Sequence, residues 1–310
     1  MAIIEVNNLI KKFNNTVAVN DVSFSIPENK IFGLLGANGA GKSTTINILT
    51  GLLLPTSGQV TIMGLDIRKK IEKIRKNIAL VPQTLSLYDD LTVFENLDFF
   101  GGLYIKKHKL LKQRMKEMID VFALEEYRNY KISKLSGGYQ RRVSIACALI
   151  SQPRILFLDE PLTGIDVYTN KIIKKLLRSL DSMTVILTTH SMRVAEDICN
   201  HVVYFEKGKK ILDGSPEHLI NHFSKKVGEH VVVELEKRAD VDRVKGLIEK
   251  ARFNISNLEA KSNRITFNSP DIGYSIVTVL DSLKPVKDQI INIDIKKPNL
   301  EFIITNILNK

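Results

Sequence analysis

The sequence predicts an α/β protein carrying a second, smaller α+β unit, on three observations. An apolar run, Ile31-Phe32-Gly33-Leu34-Leu35, enters the Gly-rich stretch Gly36-Ala37-Asn38-Gly39-Ala40-Gly41-Lys42-Ser43-Thr44 and leaves it as helix-like Thr45-Ile46-Asn47-Ile48-Leu49. A second apolar run, Ile155-Leu156-Phe157-Leu158, ends in the carboxylate pair Asp159-Glu160; four apolar residues in succession read as a buried strand. From His230 the pattern changes to the order βαββαβα, which suits a ferredoxin-like unit.

Composition narrows the class. With 310 residues and 44% hydrophobic content, the chain can bury one large core and a smaller second one. No apolar stretch approaches the ~20 residues that span a bilayer, and Met1-Ala2-Ile3-Ile4-Glu5 lacks a basic segment followed by an apolar one. A soluble chain that stays in the cytoplasm is expected. Cys147 and Cys199 sit in apolar helical patterns without ligand-like spacing, so buried reduced thiols are expected, with no disulfide or metal site. The formal charge of +11 admits nucleic acid, an anionic membrane surface or an anionic substrate. Its lysines are scattered in pairs, from Lys69-Lys70 to Lys225-Lys226, as on a solvated surface.

In order, the chain opens with strands at Ile3–Val6, Val17–Val19 and Val22–Ile26, turns at Pro27-Glu28-Asn29, and enters the strand before the Gly-rich loop. Within this region Lys11 to Asn15 places Phe13 in a polar loop, where it is either a satellite of the core or a ring exposed for stacking on an adenine. Strands follow at Gln59–Ile62 and from Lys76 to Pro82, where the second one ends. Gln83 then either senses a ligand at a strand end or begins a surface loop. Residues from about 90 to 152 read as a helical insertion. It opens on a Thr92/Glu95 capping box and carries Met115, Met118, Ile119 and Phe122 at helical spacing. The insertion closes with Leu135-Ser136-Gly137-Gly138-Tyr139 at a helix start, which suits an anion or an ordinary cap. Val185–Thr189 is a buried strand ending at His190. Val202–Phe205 and Ile211-Leu212 form a hairpin, and Asp213-Gly214-Ser215-Pro216 closes the larger domain. The expected division is 1–218 for that domain, 219–229 for a linker and 230–310 for the accessory unit. The accessory unit has strands at Val231–Leu235, Ile255–Glu259, Arg264–Phe267 and Ile290–Ile295, and helices at Val241–Lys250, Gly273–Leu283 and Leu300–Leu308.

The chemistry of the motifs points to a nucleoside triphosphate. Glycines let successive backbone N–H groups wrap phosphate oxygens, and a helix N-terminus adds its positive dipole. Lys42 reaches the β- and γ-phosphates and Ser43 can ligate Mg²⁺. Placing Asp159 and Glu160 at the end of a buried strand costs solvation unless they serve metal binding or catalysis. Asp159 suits the metal and Glu160 the proton of an attacking water. His190 suits either a γ-phosphate contact or a structural role.

Taken together and in this order, the motifs resemble those of the ATP-binding subunits of ATP-binding cassette (ABC) transporters. Matching are the Walker A loop from Gly36 to Thr44, the Q-loop at Gln83, the signature Leu135-Ser136-Gly137-Gly138, the Walker B strand ending in Asp159-Glu160, the D-loop around Gly164-Ile165-Asp166, and the H-loop at His190. The segment Leu87–Leu97 after Val81-Pro82-Gln83, and the terminal Pro298-Asn299-Leu300-Glu301, are similar to the ABC-2 export branch. The resemblance implies a P-loop NTPase fold with a RecA-like core, an antiparallel β subdomain and a helical subdomain. It also implies ATP and Mg²⁺ as cofactors. The metal is held by Ser43, Gln83 and Asp159. Phe13 stacks on adenine, and Gly36, Asn38, Gly39, Ala40, Gly41, Lys42, Ser43 and Thr44 bind the phosphates. Glu160, His190 and Gln83 serve catalysis. Ser136, Gly137 and Gly138 face the ATP of a second cassette, identical or not, in a head-to-tail dimer. Separate transmembrane permeases are the implied partners, nucleic acid is not, and the implied location is the inner face of the cell membrane. The competing reading is a soluble ABC ATPase acting on ribosomes or nucleic acid. Tyr139 departs from the family pattern, where many members carry Gln.

Overall fold

The computed structural model describes residues 2–236, 241–250, 255–269, 281, 283–296 and 298–308. They fall into two compact units, Met1–Ser215 and Pro216–Lys310.

The first unit begins with two long strands in place of three short ones. β1 (Ala2–Phe13) and β2 (Thr16–Pro27) pair antiparallel from Ala2↔Pro27 to Phe13↔Thr16. The polar residues that interrupt the alternation are absorbed as irregularities of register: Asn8 and Asp21 take φ of 48° and 53°, and Asn8 Nδ2 donates to Asp21 Oδ1 at 2.9 Å. Phe13 is therefore the last residue of a strand, and the turn proper is Asn14-Asn15. β4 (Ser57–Ile62) and the short β5 (Leu65–Asp66) complete a sheet of order β2-β1-β4-β5.

The second sheet has β3 (Ile31–Gly36), β6 (Ile78–Val81), β7 (Ile155–Leu158), β8 (Thr184–Thr189), β9 (His201–Glu206) and β10 (Lys209–Gly214). Its order is β10-β9-β3-β8-β7-β6, parallel from β9 to β6 with β10 antiparallel at the edge. Every residue of β3, β7 and β8 is buried, as continuous apolar runs require. The two sheets share one core. Phe32, Phe157 and Phe205 meet Val6, Ile26 and Ile62 there, together with Ile46 and Ile48 of α1 (Lys42–Leu49).

α2 (Ile67–Arg75) carries a kink at Lys70, and its Ile67, Ile71 and Ile74 recur at helical spacing against the core. The helical insertion consists of α3 (Val93–Tyr104), α4 (His108–Val121) and α5 (Gly137–Leu149). Its capping box is formed as expected: the Thr92 amide donates to Glu95 Oε2 at 2.7 Å and the Glu95 amide to Thr92 Oγ1 at 3.2 Å. Met115, Met118, Ile119 and Phe122 are buried. α6 (Val167–Arg178) and α7 (Met192–Ile198) flank β8 in the chain. Both cysteines are free and buried; burial pushes the Cys199 thiol up to about 12 and that of Cys147 higher still.

The second unit starts with α8 (Pro216–Val227), so most of the segment expected as a linker is helix. β11 (Glu229–Leu235), α9 (Val241–Lys250), β12 (Ser256–Lys261), β13 (Arg264–Ser269), β14 (Ile290–Lys296) and α10 (Leu300–Leu308) follow. The sheet order is β12-β13-β11-β14 with all neighbours antiparallel, the arrangement a split βαβ unit produces. Val233, Leu235, Val244, Ile248, Ile265 and Phe267 form its core. The helix expected over 273–283 lies almost wholly outside the described residues. Among the described residues no helix is long and apolar enough to cross a membrane, and no group of His, Cys, Asp or Glu is assembled as a metal cage.

Candidate nucleotide site

Four strands of the parallel sheet end at one level. Leu35 of β3 pairs with Thr189 of β8, Leu187 of β8 with Leu158 of β7, and Val81 of β6 with Leu158. The Gly-rich loop, His190, the Asp159-Glu160 pair and Gln83 therefore all leave the sheet at its carboxyl edge, where open α/β sheets bind ligands.

The loop conformation demands its glycines. Gly41 has φ of 106°, and a Cβ there would lie 2.5 Å from the Ala18 carbonyl oxygen; Gly39, at φ 79°, has room for a side chain but not the backbone preference. Gly41 caps α1 without a side-chain hydrogen bond, and the first amide to find a helical carbonyl is Thr45, bonded to Gly41 O at 2.9 Å. Those of Lys42, Ser43 and Thr44 point out of the helix start, as an anion site needs. Asn38 is exposed and Ala40 is buried in the loop, its amide bonded to Ala37 O at 3.2 Å. Lys42, only 5% exposed, donates to Gly36 O at 2.9 Å and Ala37 O at 3.1 Å, and its ammonium lies 3.5 Å from Glu160 Oε1.

The two carboxylates are held by different partners. Asp159 Oδ1 accepts from Ser43 Oγ at 3.2 Å and from Thr188 Oγ1, while the Asp159 amide donates to Val81 O at 2.9 Å. A hydroxyl and a carboxylate brought this close are hard oxygen donors of the kind Mg²⁺ takes alongside phosphate and water, so the pair fits that ion. Glu160 adopts φ of 48°, a left-handed turn that directs its side chain away from Asp159's partners. Its Oε2 accepts from Thr163 Oγ1 at 2.9 Å and contacts His190 Nδ1 at 3.1 Å. Its Oε1 is buried and makes no hydrogen bond, leaving an acceptor aimed at the space beside Lys42.

Gln83 is exposed, and its loop is anchored from behind: Arg141 of α5 donates to Pro82 O at 3.0 Å and Gln83 O at 2.8 Å. Burial holds the Arg141 guanidinium below its ordinary pKa, and Asp159 opposes that shift. Phe13 is 43% exposed with Lys11 Nζ 4.8 Å from its ring centroid, at the tip of the hairpin whose Ala18 carbonyl abuts Gly41.

Ser136, Gly137 and Gly138 do not join this cluster through any hydrogen bond among the described residues. Ser136 and Gly137 are exposed at the start of α5, Ser136 caps it without a side-chain bond, and a Cβ on Gly138 would lie 2.8 Å from Thr169 Oγ1. Tyr139 packs on Tyr127 with ring centroids 4.0 Å apart, under the Arg142 guanidinium at 4.0 Å. The neighbouring Gln140 supplies the amide, donating to Ile132 O at 3.0 Å and Leu135 O at 3.1 Å and so fixing the turn ahead of the helix. Asp166 caps α6 by accepting from the Thr169 amide at 2.9 Å; that bond and the Thr169 hydroxyl hold its carboxyl below the usual range.

Thr163, Thr188 and Arg141 join the site without any sequence signal of their own. A threonine inside an apolar strand and an arginine on a helix have ordinary structural uses; only the strand neighbours reveal their partners.

Comparison with known proteins agrees with the geometry. A family profile described as "ABC transporter" matches residues 19–163. The linearmycin resistance ATP-binding protein LnrL of Bacillus subtilis is 31% identical over 313 residues, covering 99% of this chain and 98% of that protein. A Nod factor export ATP-binding protein I of Cupriavidus pinatubonensis is 38% identical, covering 71% of this chain and 68% of its own length. The probable multidrug ABC transporter ATP-binding protein YbhF of Escherichia coli is also 38% identical over 70% of this chain, but the match spans only 38% of that longer protein. Among solved structures, a dimeric post-hydrolysis ATP-binding cassette bound to ADP and Pi superposes with a TM-score of 0.63 at 30% identity, covering 68% of this chain and 98% of that one. CbiO1 of Clostridium perfringens, part of the transporter complex cbiONQ, gives a TM-score of 0.66 at 27% identity, covering 72% of this chain and 94% of that one. With the six motifs in order and a relative aligned along almost the whole length, the chain belongs to the ATP-binding proteins of the ABC transporter family.

Proposed function

We propose that the chain binds ATP with Mg²⁺ and hydrolyses it as one of two head-to-tail cassettes, powering export through separate permease subunits at the inner face of the cell membrane. The observation that carries this reading is the buried Oε1 of Glu160, which faces the Lys42 ammonium at 3.5 Å without a hydrogen bond while Oε2 is braced by Thr163 and His190. A carboxylate so held has one fixed oxygen and one available acceptor, the requirement for taking a proton from water.

The amides of the Gly36–Thr44 loop and α1 hold the phosphates, with Lys42 compensating their charge and Phe13 covering the base. Ser43 and Asp159, with Gln83, hold the metal, which supplies Lewis-acid stabilisation of phosphate charge when bound. Glu160 orients and deprotonates water, and His190 positions Glu160 and the γ-phosphate. Among the described residues no arginine hydrogen-bonds or ion-pairs with Asp159 or Glu160, and Arg141 is engaged with the Pro82 and Gln83 carbonyls. The exposed start of α5, with Ser136, Gly137 and Gly138, supplies the missing positive potential to the ATP of a partner cassette. Export is supported by relatives named for multidrug transport, Nod factor export and linearmycin resistance. None of these three is named for ribosomes or nucleic acid. Affinity purification from detergent-solubilised membranes tests the reading: a co-purifying integral membrane protein and ATPase activity are expected, and co-purifying ribosomes or nucleic acid in its place would overturn it.

A further inference from the structure

Glu160 is separated from a second concavity by two side chains. Thr163 and His190 bind its Oε2 at 2.9 and 3.1 Å, and both also line a cleft of about 890 Å³ between α6 and α7. The cleft is strongly cationic. Lys174 is neutralised by Asp197 at 2.6 Å and Arg178 donates to the Asp197 carbonyl. Lys171, Lys175 and Arg193, which also line it, have no carboxylate within ion-pairing distance among the described residues. At its wall Asn170 donates to Ile165 O at 3.2 Å, while its Oδ1 is buried and accepts nothing. A cleft lined by unpaired cations beside the side chains that brace Glu160 suits an anion.

We propose that this cleft is an oxyanion site that receives the inorganic phosphate released by hydrolysis; the assignment of phosphate as its occupant rests on the ATPase function proposed above. When water adds to the γ-phosphorus and the bond to the β–γ bridging oxygen breaks, ADP leaves with the electron pair. The water's two protons go to the base and to the new phosphate, so the product is HPO₄²⁻ or H₂PO₄⁻ and retains at least one O–H. Lys171, Lys175 and Arg193 meet its charge. Thr163 and His190 form the wall it passes, and both are already in contact with the carboxylate that made it. Phosphate leaving by this side need not cross the ADP still seated on the Gly36–Thr44 loop.

The test is a calorimetric titration of inorganic phosphate into nucleotide-free protein carrying Lys42→Ala, which weakens the competing anion site at the Gly-rich loop. The same titration is made with Lys171→Ala, Lys175→Ala and Arg193→Ala added. All three residues are exposed, and melting curves verify that the fold is kept. Phosphate affinity is expected to fall about tenfold or more with the cations removed, and sulfate is expected to compete in the first protein and not in the second. Equal phosphate affinity in the two proteins would overturn the proposal. Without Lys42→Ala, the triple variant is expected to turn over ATP within about twofold of wild type at low phosphate, while the phosphate concentration that halves the rate rises about tenfold. An unchanged inhibitory concentration would likewise overturn it. Failure of the unmodified protein to hydrolyse ATP would count against the proposed function, and the nucleotide-free titration would still decide whether the cleft binds oxyanions.

Discussion

Thr188 hydrogen-bonds Asp159 across the β7–β8 pair, its hydroxyl donating to Oδ1 while accepting the Glu160 amide at 2.8 Å. One buried side chain thus sets the carboxylate that faces Ser43 and the backbone turn that aims the carboxylate beside Lys42. The division of labour between Asp159 and Glu160 depends on this bond.

Thr188→Val keeps the shape and removes the hydroxyl. It leaves the Glu160 amide buried without a partner, so the protein is expected to lose about 1–3 kcal/mol of stability. Urea unfolding measures the loss, and ATP turnover is expected to fall with it. A variant as stable and active as wild type would show that the bond does not organise the site.

Glu160→Gln keeps the contact with Thr163 and removes the base. ATP binding by fluorescence titration is expected to survive, while turnover falls about 10²- to 10⁴-fold, the worth of a general base. Turnover at the wild-type rate would remove Glu160 from the mechanism.

Ser136→Arg fills the exposed start of α5. The monomer is expected to bind ATP as before, because no hydrogen bond links Ser136 to the Gly36–Thr44 loop among the described residues, while hydrolysis by the dimer is lost. A variant monomer unable to bind ATP would place the contact within one chain.

Arg141→Met removes the clamp on the Pro82 and Gln83 carbonyls. A stability loss of about 1–3 kcal/mol is expected, together with faster amide exchange confined to the Gln83 loop. Exchange rates equal to wild type in that loop would show that other contacts hold it.

Acid stability carries a signature of Asp213. Burial alone would raise its pKa, but the hydrogen bonds from His201 at 2.7 Å and Lys210 at 2.6 Å, with the Lys210 charge, hold it below the ordinary value of 3.8. A depressed carboxylate contributes stability above its unfolded pKa and loses it as pH falls through the folded value. The difference in unfolding free energy between wild type and Asp213→Asn is therefore expected to be constant near neutrality and to shrink below about pH 3.8. A gap that stayed constant through that range would show that Asp213 is not ion-paired in solution.

Local pattern carried much of this protein. Gly36 to Ser43 between an apolar strand and a helix specify a phosphate loop, because glycine backbone freedom and a lysine at that spacing answer a local chemical need. The Thr92–Glu95 box and the apolar runs before Asp159 and His190 were equally local. What the sequence could not decide was which residues would meet. The single long strands β1 and β2 exist because pairing across Asn8 and Asp21 absorbs the polar interruptions. Thr188 and Arg141 acquire their roles only when β7, β8 and α5 are brought side by side, whereas Thr163 meets Glu160 within the turn that follows β7. Tyr139, which departs from the family pattern, proves to pack between Tyr127 and Arg142 while Gln140 holds the preceding turn. The sequence alone determined the list of chemical groups, since each motif closes on itself within a few residues. The tertiary structure decided their pairing, since hydrogen bonds spanning 28 to 116 residues depend on strand order and register, which no local spacing encodes.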